Sequence, residues 1–186
     1  MKIIHYNSPV ILTFAIVTVV VYLISVFVFP GFTGHFFRVG PSFSFFAPLD
    51  YFRLVSHVMG HASFDHLFNN LILILLLGPI LEERYGNSTI LGMMLVTALC
   101  TGIINVLFFP TGLLGASGIV FMFVILVSIV NMKSGSIPLS FLLVSFIFIG
   151  RELVQVFRQD NISQMAHIVG GSIGAVFGFT LAKPTG

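Results

Sequence analysis

The sequence predicts an all-α protein that crosses a membrane several times. Of its 186 residues, 57% are hydrophobic and only 8% are charged, whereas soluble domains carry about 25% charged residues. The mean hydropathy is +1.10. Apolar runs near the roughly 20 residues that a spanning helix needs recur along the chain, separated by charges, prolines or glycines. These observations predict a polytopic membrane protein with six transmembrane helices, here called spans 1 to 6.

Span 1 is predicted at 9–29. The run is too long for the apolar core of a signal peptide, and no clear small-residue cleavage site follows it, so we expect it to be retained. The next stretch, 31–60, contains seven phenylalanines but is broken by Pro41 and Pro48. Proline interrupts helices, and a loop facing water would not carry so much phenylalanine. We expect a structured loop that lies partly in the membrane interface.

The remaining spans are separated by short polar or turn-forming stretches. Charged residues follow span 2 from Glu82, and a turn with Pro110 and Gly112 precedes span 4. We expect one domain over 1–186 with no additional soluble domain. The predicted bounds are 64–81 for span 2, 88–106 for span 3, 117–133 for span 4, 138–154 for span 5 and 165–182 for span 6.

Basic residues do not decide the orientation in the membrane. With a cytoplasmic N-terminus, four Lys and Arg residues fall on each side, and the positive-inside rule requires an excess. All three lysines fall on the cytoplasmic side, which favours that orientation. We expect a multi-pass protein of a prokaryotic inner membrane whose partners are lipids and membrane proteins, with no nucleic acid, cofactor or metal.

Three polar side chains are predicted to lie at one depth. Each lies 16 residues before a charged residue that ends its span: Ser117 before Lys133, His167 before Lys183, and His66 before Glu82. At 1.5 Å per residue, each lies about 24 Å from its anchor, in a hydrocarbon core about 30 Å thick. Spans 2, 4 and 6 run in the same direction, so the three groups share one level. Polar groups in a membrane are costly and usually functional, which suggests a single site.

Glycines indicate which spans meet at this level. A seam of small residues lets two helix backbones pack closely, and a contact between spans 4 and 6 would bring Ser117 and His167 within reach. A purely structural seam is the alternative. The glycines are Gly170, Gly174 and Gly178 on span 6 and Gly115 and Gly118 beside the serine.

These groups have the chemistry of an acyl-transfer site. A serine hydroxyl is a weak nucleophile that needs an adjacent base, and His167 is the candidate because histidine titrates near neutral pH. Oxyanion donors would be the backbone N–H of Ser117 and the side chains of His66 and Asn70, which share one face of span 2. No Asp or Glu lies near His167 in the sequence, so we expect a Ser–His dyad with no third carboxylate to orient the imidazole.

The joint order of these motifs resembles the rhomboid intramembrane serine proteases. The likeness extends from about Phe52 to Gly178. Two motifs surround the proposed dyad: Gly115-Ala116-Ser117-Gly118, and Ala166-His167 followed by the glycine seam. The other two lie at the start of span 2 and just after it: His61, His66 and Asn70, spaced five and four positions apart, and Glu82-Glu83-Arg84-Tyr85-Gly86.

The resemblance implies a six-helix bundle with a water-filled cavity open to the outside. It implies Ser117 as nucleophile, His167 as base, and His66 and Asn70 in the oxyanion hole. The substrates would be single-span membrane proteins, cut near the outer end of their helix after entering past span 5. The expected supporting residues are Gly115, Gly118, Phe121, His61, Gly170 and Gly174.

The sequence departs from the family pattern at two aromatic positions. Phe52-Arg53 stands where Trp-Arg is frequent, and Phe121 stands where a Tyr often stacks on the histidine. Neither change removes a catalytic group.

Other polar residues are expected to be structural. His57 and His61 precede His66 and raise the question of zinc, but no HExxH pattern occurs and carboxylates are scarce. We expect His57 and His61 to hydrogen-bond the backbone of the long loop, and Glu82 and Arg84 to cap and pair at the end of span 2.

Two other functions remain open at this point. A rhomboid-like protein that binds membrane helices without cutting them would typically lack the serine or the histidine. A proton or ion transporter could use buried histidines, but it would be expected to carry intramembrane carboxylates or paired repeats.

Overall fold

The computed structural model describes residues 6–129, 137–156 and 161–181, and these form helices joined by loops. A π-helical turn, Ile24–Val28, extends the first helix, and a 3-10 turn, His57–Met59, follows the third. The predicted all-α class is therefore confirmed for the described ranges. The α-helices are α1 Pro9–Leu23, α2 Phe32–Phe36, α3 Pro48–Ser56, α4 Phe64–Tyr85, α5 Asn87–Phe108, α6 Ser117–Ile129, α7 Leu139–Val156 and α8 Asn161–Leu181.

Several of these helices have the length and composition of membrane spans. Four candidates are present among the described residues: Pro9–Val28, Phe64–Tyr85, Asn87–Phe108 and Gln164–Leu181. Helix α6 is apolar but has only 13 described residues, and the predicted end of span 4 at Lys133 lies outside the described ranges. The chain is thus a multi-pass membrane protein by composition, and the count of six spans stays a prediction.

A buried carboxylate joins the start of α1 to the end of α4. Glu82 is only 3% exposed, and its two oxygens accept hydrogen bonds from the N–H groups of Val10 and Ile11 at 2.9 and 3.0 Å. These N–H groups belong to the first turn of α1, where they lack acceptors within the helix and where the helix dipole favours negative charge. The expected role of Glu82 at the end of its own helix is therefore corrected, because it caps α1 instead.

Replacing this carboxylate with an amide should destabilise the protein. Glu82→Gln keeps one acceptor but sets an NH₂ group against a backbone N–H, and hydrogen bonds to charged groups contribute about 1.5–3 kcal/mol each. We expect the free energy of unfolding in detergent micelles to fall by about 1–2 kcal/mol. The matched control is Glu83→Gln at the exposed neighbouring position. Equal losses in the two variants would contradict the capping role.

Helix α6 is the central helix of the bundle. It packs against α4, α5, α7 and α8. A helix that is apolar around its whole circumference is expected to be enclosed by others, and α6 has buried side chains on all sides. They are Ile119, Val120, Met122, Phe123, Ile125, Leu126 and Ile129.

The contact between α6 and α8 is made by backbone against backbone. A Cβ atom on Gly170 would overlap the carbonyl oxygen of Gly118, and one on Gly174 would lie 2.5 Å from that of Met122. Gly178 instead packs against a side chain, since a Cβ there would lie 2.7 Å from Cδ1 of Ile129. The predicted packing of the span 6 glycine seam on span 4 is confirmed.

An added methyl group in this seam should cost stability. Gly170→Ala forces the two backbones apart, and overpacking of this kind costs about 1–3 kcal/mol. Gly92→Ala on α5 is the matched control, because a Cβ there meets nothing within 4 Å and alanine favours a helix by about 1 kcal/mol. Thermal unfolding in detergent should give opposite signs for the two variants. A Gly170→Ala protein as stable as Gly92→Ala would refute the close contact.

The long loop after α1 is structured, as predicted, and it is tied to the segment before α6. Val39 and Leu113 form an antiparallel bridge with N–H···O distances of 3.1 and 3.0 Å. The N–H of Gly115 donates to the carbonyl oxygen of His57 at 2.9 Å. The loop therefore fixes the backbone that leads into Ser117.

Candidate active site

Ser117 is the first residue of α6 and follows a turn that requires glycine. Gly115 has φ of 125°, a backbone conformation that side chains with a Cβ rarely adopt. A Cβ on Gly115 would also lie 2.5 Å from Cε1 of the His66 ring. Gly115 thus permits the turn and makes room for His66 beside it. At the start of a helix, the N–H groups point outward without partners in the helix and can bind negative charge.

The four residues predicted to act together line one cavity. It has a volume of about 700 Å³ and lies between α4, α6, α7 and α8. Ser117, His167, His66 and Asn70 all contribute to its wall. Ser117, His167 and His66, which the sequence predicts to lie at one depth, therefore line the same cavity. The remaining lining residues are Asn69, Ile72, Leu73, Val120, Phe121, Val124, Val144 and Ile147.

The glycine seam sets the separation of the helices that carry Ser117 and His167. A Cβ on Gly118 would lie 3.3 Å from the carbonyl oxygen of Ala166. Ser117 and His167 are the sequence neighbours of these two residues. The contact is tighter still where a Cβ on Gly170 would overlap the carbonyl oxygen of Gly118, so the close packing of α6 on α8 lies beside Ser117 and within one turn of His167.

The side chain of His167 is held within the bundle. It is 8% exposed, and the ring of Phe121 lies against it with centroids 4.1 Å apart at an interplanar angle of 38°. The expected packing of Phe121 on the histidine is thus present without a hydroxyl group. Aromatic contact of this kind restricts the rotation of the imidazole.

His66 and Asn70 project from the first turns of α4. Ser63 caps this helix by accepting the N–H of His66 at 3.2 Å. Asn70 is 6% exposed, and its Nδ2 donates to Nε2 of His61 at 3.0 Å. The amide of Asn70 is thereby fixed in one orientation.

His61 is an acceptor for two groups at the site. Besides Asn70, the backbone N–H of Ala116 donates to its Nε2 at 3.4 Å. An imidazole nitrogen that accepts must be unprotonated, which places the proton on Nδ1. The expected hydrogen bond of His61 with the backbone of its own loop is present at Met59, and its Nε2 in addition links α4 to the residue before Ser117. The spacing of the sequence carried no signal for this contact.

His57 is buried and does not line the cavity. Its Nε2 is 3.1 Å from the carbonyl oxygen of Ala98 and 3.3 Å from the hydroxyl of Thr101. The predicted backbone hydrogen bond of His57 is confirmed, but it reaches α5 and not the loop. It connects the loop before α4 to α5.

Burial keeps both of these histidines neutral. Desolvation lowers the pKa of His57 from 6.5 to about 4, against a raising effect of the Ala98 carbonyl. Desolvation and the nearby His66 lower the pKa of His61 to about 3. Neutral imidazoles preserve the acceptor role of His61.

Stability should therefore fall in mild acid. Below pH 6.5 the unfolded chain protonates His57, whereas the folded protein keeps this histidine neutral down to about pH 4. The free energy of unfolding therefore has its full value above pH 6.5 and decreases as the pH falls below it. Each such group gives a slope of up to about 1.4 kcal/mol per pH unit. Denaturant titrations of wild type and His57→Gln between pH 6.5 and 4.5 should show a shallower slope in the variant. Identical slopes would contradict the neutral, buried state.

The histidines of the site raise the question of a metal ion. Within the described ranges, no group of three or more His, Cys, Asp and Glu side chains is arranged to hold a metal ion.

The comparisons with known proteins place the chain in a family. A search of curated proteins gives no match. The family model described as the Rhomboid domain matches residues 48–184, a range that contains the whole cavity lining described above. The chain therefore belongs to the rhomboid family.

Proposed function

We propose that this protein is an intramembrane serine endopeptidase that cuts membrane-spanning segments of other proteins. The observation that carries the proposal is the convergence of Ser117, His167, His66 and Asn70 on one cavity. Membership of the rhomboid family supports the same conclusion, since the family generally consists of serine intramembrane proteases.

In the proposed reaction, Oγ of Ser117 attacks the carbonyl carbon of the scissile peptide bond. His167 takes the hydroxyl proton and then gives it to the leaving amine, which departs as the new N-terminus. Water next attacks the acyl-serine, with His167 again as base, and releases the new carboxyl group. The two steps consume one water and restore both side chains.

The negative charge that develops on the carbonyl oxygen would be stabilised by fixed donors. The N–H of Ser117 at the start of α6, the ring of His66 and the amide of Asn70 supply them in the proposal. Preorganised donors of this kind are each worth about 10²–10³ in rate. His61 acts on the reaction through Asn70, because it holds the amide that points toward the cavity.

The cavity lining suits an apolar substrate. Apolar side chains from α4, α6 and α7 form most of its wall, among them Ile72, Val124 and Ile147. Helix α7 packs mainly against α6 and α8, and several of its large apolar side chains are exposed, among them Leu139, Phe146 and Ile147. We propose that a single-span membrane protein approaches from this side and is cut near the outer face.

The topology completes the proposal. Six spans would result if α6 and α7 also cross the membrane, with the N-terminus in the cytoplasm and the protein in the inner membrane of a prokaryotic cell. A catalytically silent rhomboid-like protein that binds membrane helices is the competing function. Cleavage of a model substrate separates the two.

The dyad and the oxyanion donors should differ in their effect on cleavage. With a single-span substrate in liposomes, Ser117→Ala and His167→Ala should abolish turnover. His66→Ala and Asn70→Ala should leave a residual rate about 10²–10³ below wild type. Ser128→Ala on the same helix is the control and should cut normally, because within the described ranges its hydroxyl bonds only the backbone of Ile125.

The product mass locates the cut and completes the test. A wild-type protein that is folded yet leaves every single-span substrate intact would favour the silent relative. Total loss in all four variants with loss of folding would show a structural effect and not a catalytic one, and retained cutting by Ser117→Ala would exclude that serine as nucleophile.

A further inference from the structure

A second cavity opens on the other side of Ser117. Its volume is about 570 Å³. Ser117 and His66 line this cavity as well as the first, so the proposed nucleophile lies where the two cavities meet. A peptide attacked at Ser117 would extend into one cavity on each side of its scissile bond.

The two cavities differ in chemistry. Apolar side chains dominate the wall of the first cavity. The second has a larger polar share, from the hydroxyl-bearing Ser25 and Thr33, glycine backbone and the guanidinium-bearing Arg38, beside the apolar Ala62, Leu113 and Leu114. We call them the apolar cavity and the polar cavity. The apolar part of a substrate fits the first, and a polar or charged part fits the second.

Arg38 is tied to the segment that carries the nucleophile. The next residue, Val39, is bridged to Leu113 by two backbone hydrogen bonds of 3.1 and 3.0 Å, four residues before Ser117. The guanidinium packs on Gly112, where an added Cβ would overlap its Nε atom. Both the backbone and the side chain of Arg38 are thus positioned relative to Ser117.

The charge of Arg38 is not used by the part of the chain that the structure describes. There, the ion pair present is Arg53 with Asp50 at 2.8 Å, and Arg53 also bonds the carbonyl oxygen of His35. Arg38 is exposed and has neither an ion pair nor a hydrogen bond within the described ranges. Its guanidinium is available to a group that enters the polar cavity.

We propose that Arg38 is a specificity-determining residue that binds a carboxylate of the substrate. The planar guanidinium matches a carboxylate with two parallel hydrogen bonds. The preferred substrate then has an Asp or Glu close to the scissile bond, on the side that enters the polar cavity, and an apolar segment on the other side. This inference rests on the proposed protease function and adds a substrate class to it.

The test compares substrates that differ only in whether one side chain is the carboxylate of Asp or the amide of Asn. A single-span substrate carries Asp or Asn at one of the four positions on either side of the cut, and kcat/KM is measured for each pair in vesicles of neutral lipid. Wild type should prefer Asp by about tenfold at one or two positions on one side only, as expected for one charge-assisted interaction. Arg38→Gln should reduce that ratio to about one.

Further variants separate charge from position. Arg38→Lys should retain part of the preference, and Arg38→Glu should invert it toward a Lys substrate. Arg84→Gln is the control, since it removes one positive charge from the far end of α4 and should leave the Asp preference intact. Cleavage of the Asn substrates reports that each variant is folded.

The outcomes distinguish this inference from the proposed function. If wild type cuts Asp and Asn substrates equally, the role of Arg38 is overturned while the protease survives. If wild type cuts none of them, the proposed function fails and this inference falls with it. A loss in Arg38→Gln that is equal for all substrates and appears only with anionic lipid would assign Arg38 to the membrane surface, which also overturns the proposal.

Discussion

The close contact of two helix backbones is the constraint on which the rest of the structure depends. Helices α6 and α8 approach so closely that a Cβ on Gly170 has no room beside the carbonyl of Gly118. Without a hydrophobic driving force between helices in lipid, van der Waals contact at small residues is a main source of association. Because Ser117 and His167 flank this contact, the packing that holds the bundle together also defines the separation of the proposed nucleophile and base.

The polar groups around this contact are held by partners from distant parts of the chain. His61 accepts from Asn70 and from the backbone of Ala116, while Glu82 caps the first turn of α1. Buried polar groups are expensive unless they are hydrogen-bonded. The His61 bonds therefore fix the start of α4 against the turn before Ser117, and the Glu82 bonds fix the end of α4 to the start of α1.

Much of the helical framework follows from the sequence, and much of the loop structure does not. Apolar length and glycine spacing predicted the long helices and the meeting of Ser117, His66 and His167, because both depend on regular periods. The Glu82 cap joins residues about 70 positions apart, and the polar cavity depends on the pairing of Val39 with Leu113. Contacts between irregular segments have no period, so the sequence held no signal that Arg38 and Ser117 line one cavity or that His61 is a shared acceptor.

The most direct test of this account is the labelling of Ser117 by a fluorophosphonate, located by peptide mass, in wild type and in Gly170→Ala. The close packing of α6 on α8 should be needed to activate the serine, because it sets the distance between Ser117 and His167. We predict rapid labelling of Ser117 in the wild type and strongly slowed labelling in Gly170→Ala, in a protein that keeps its helical circular dichroism. Labelling at an equal rate in the two proteins, or labelling of another residue, would contradict the account.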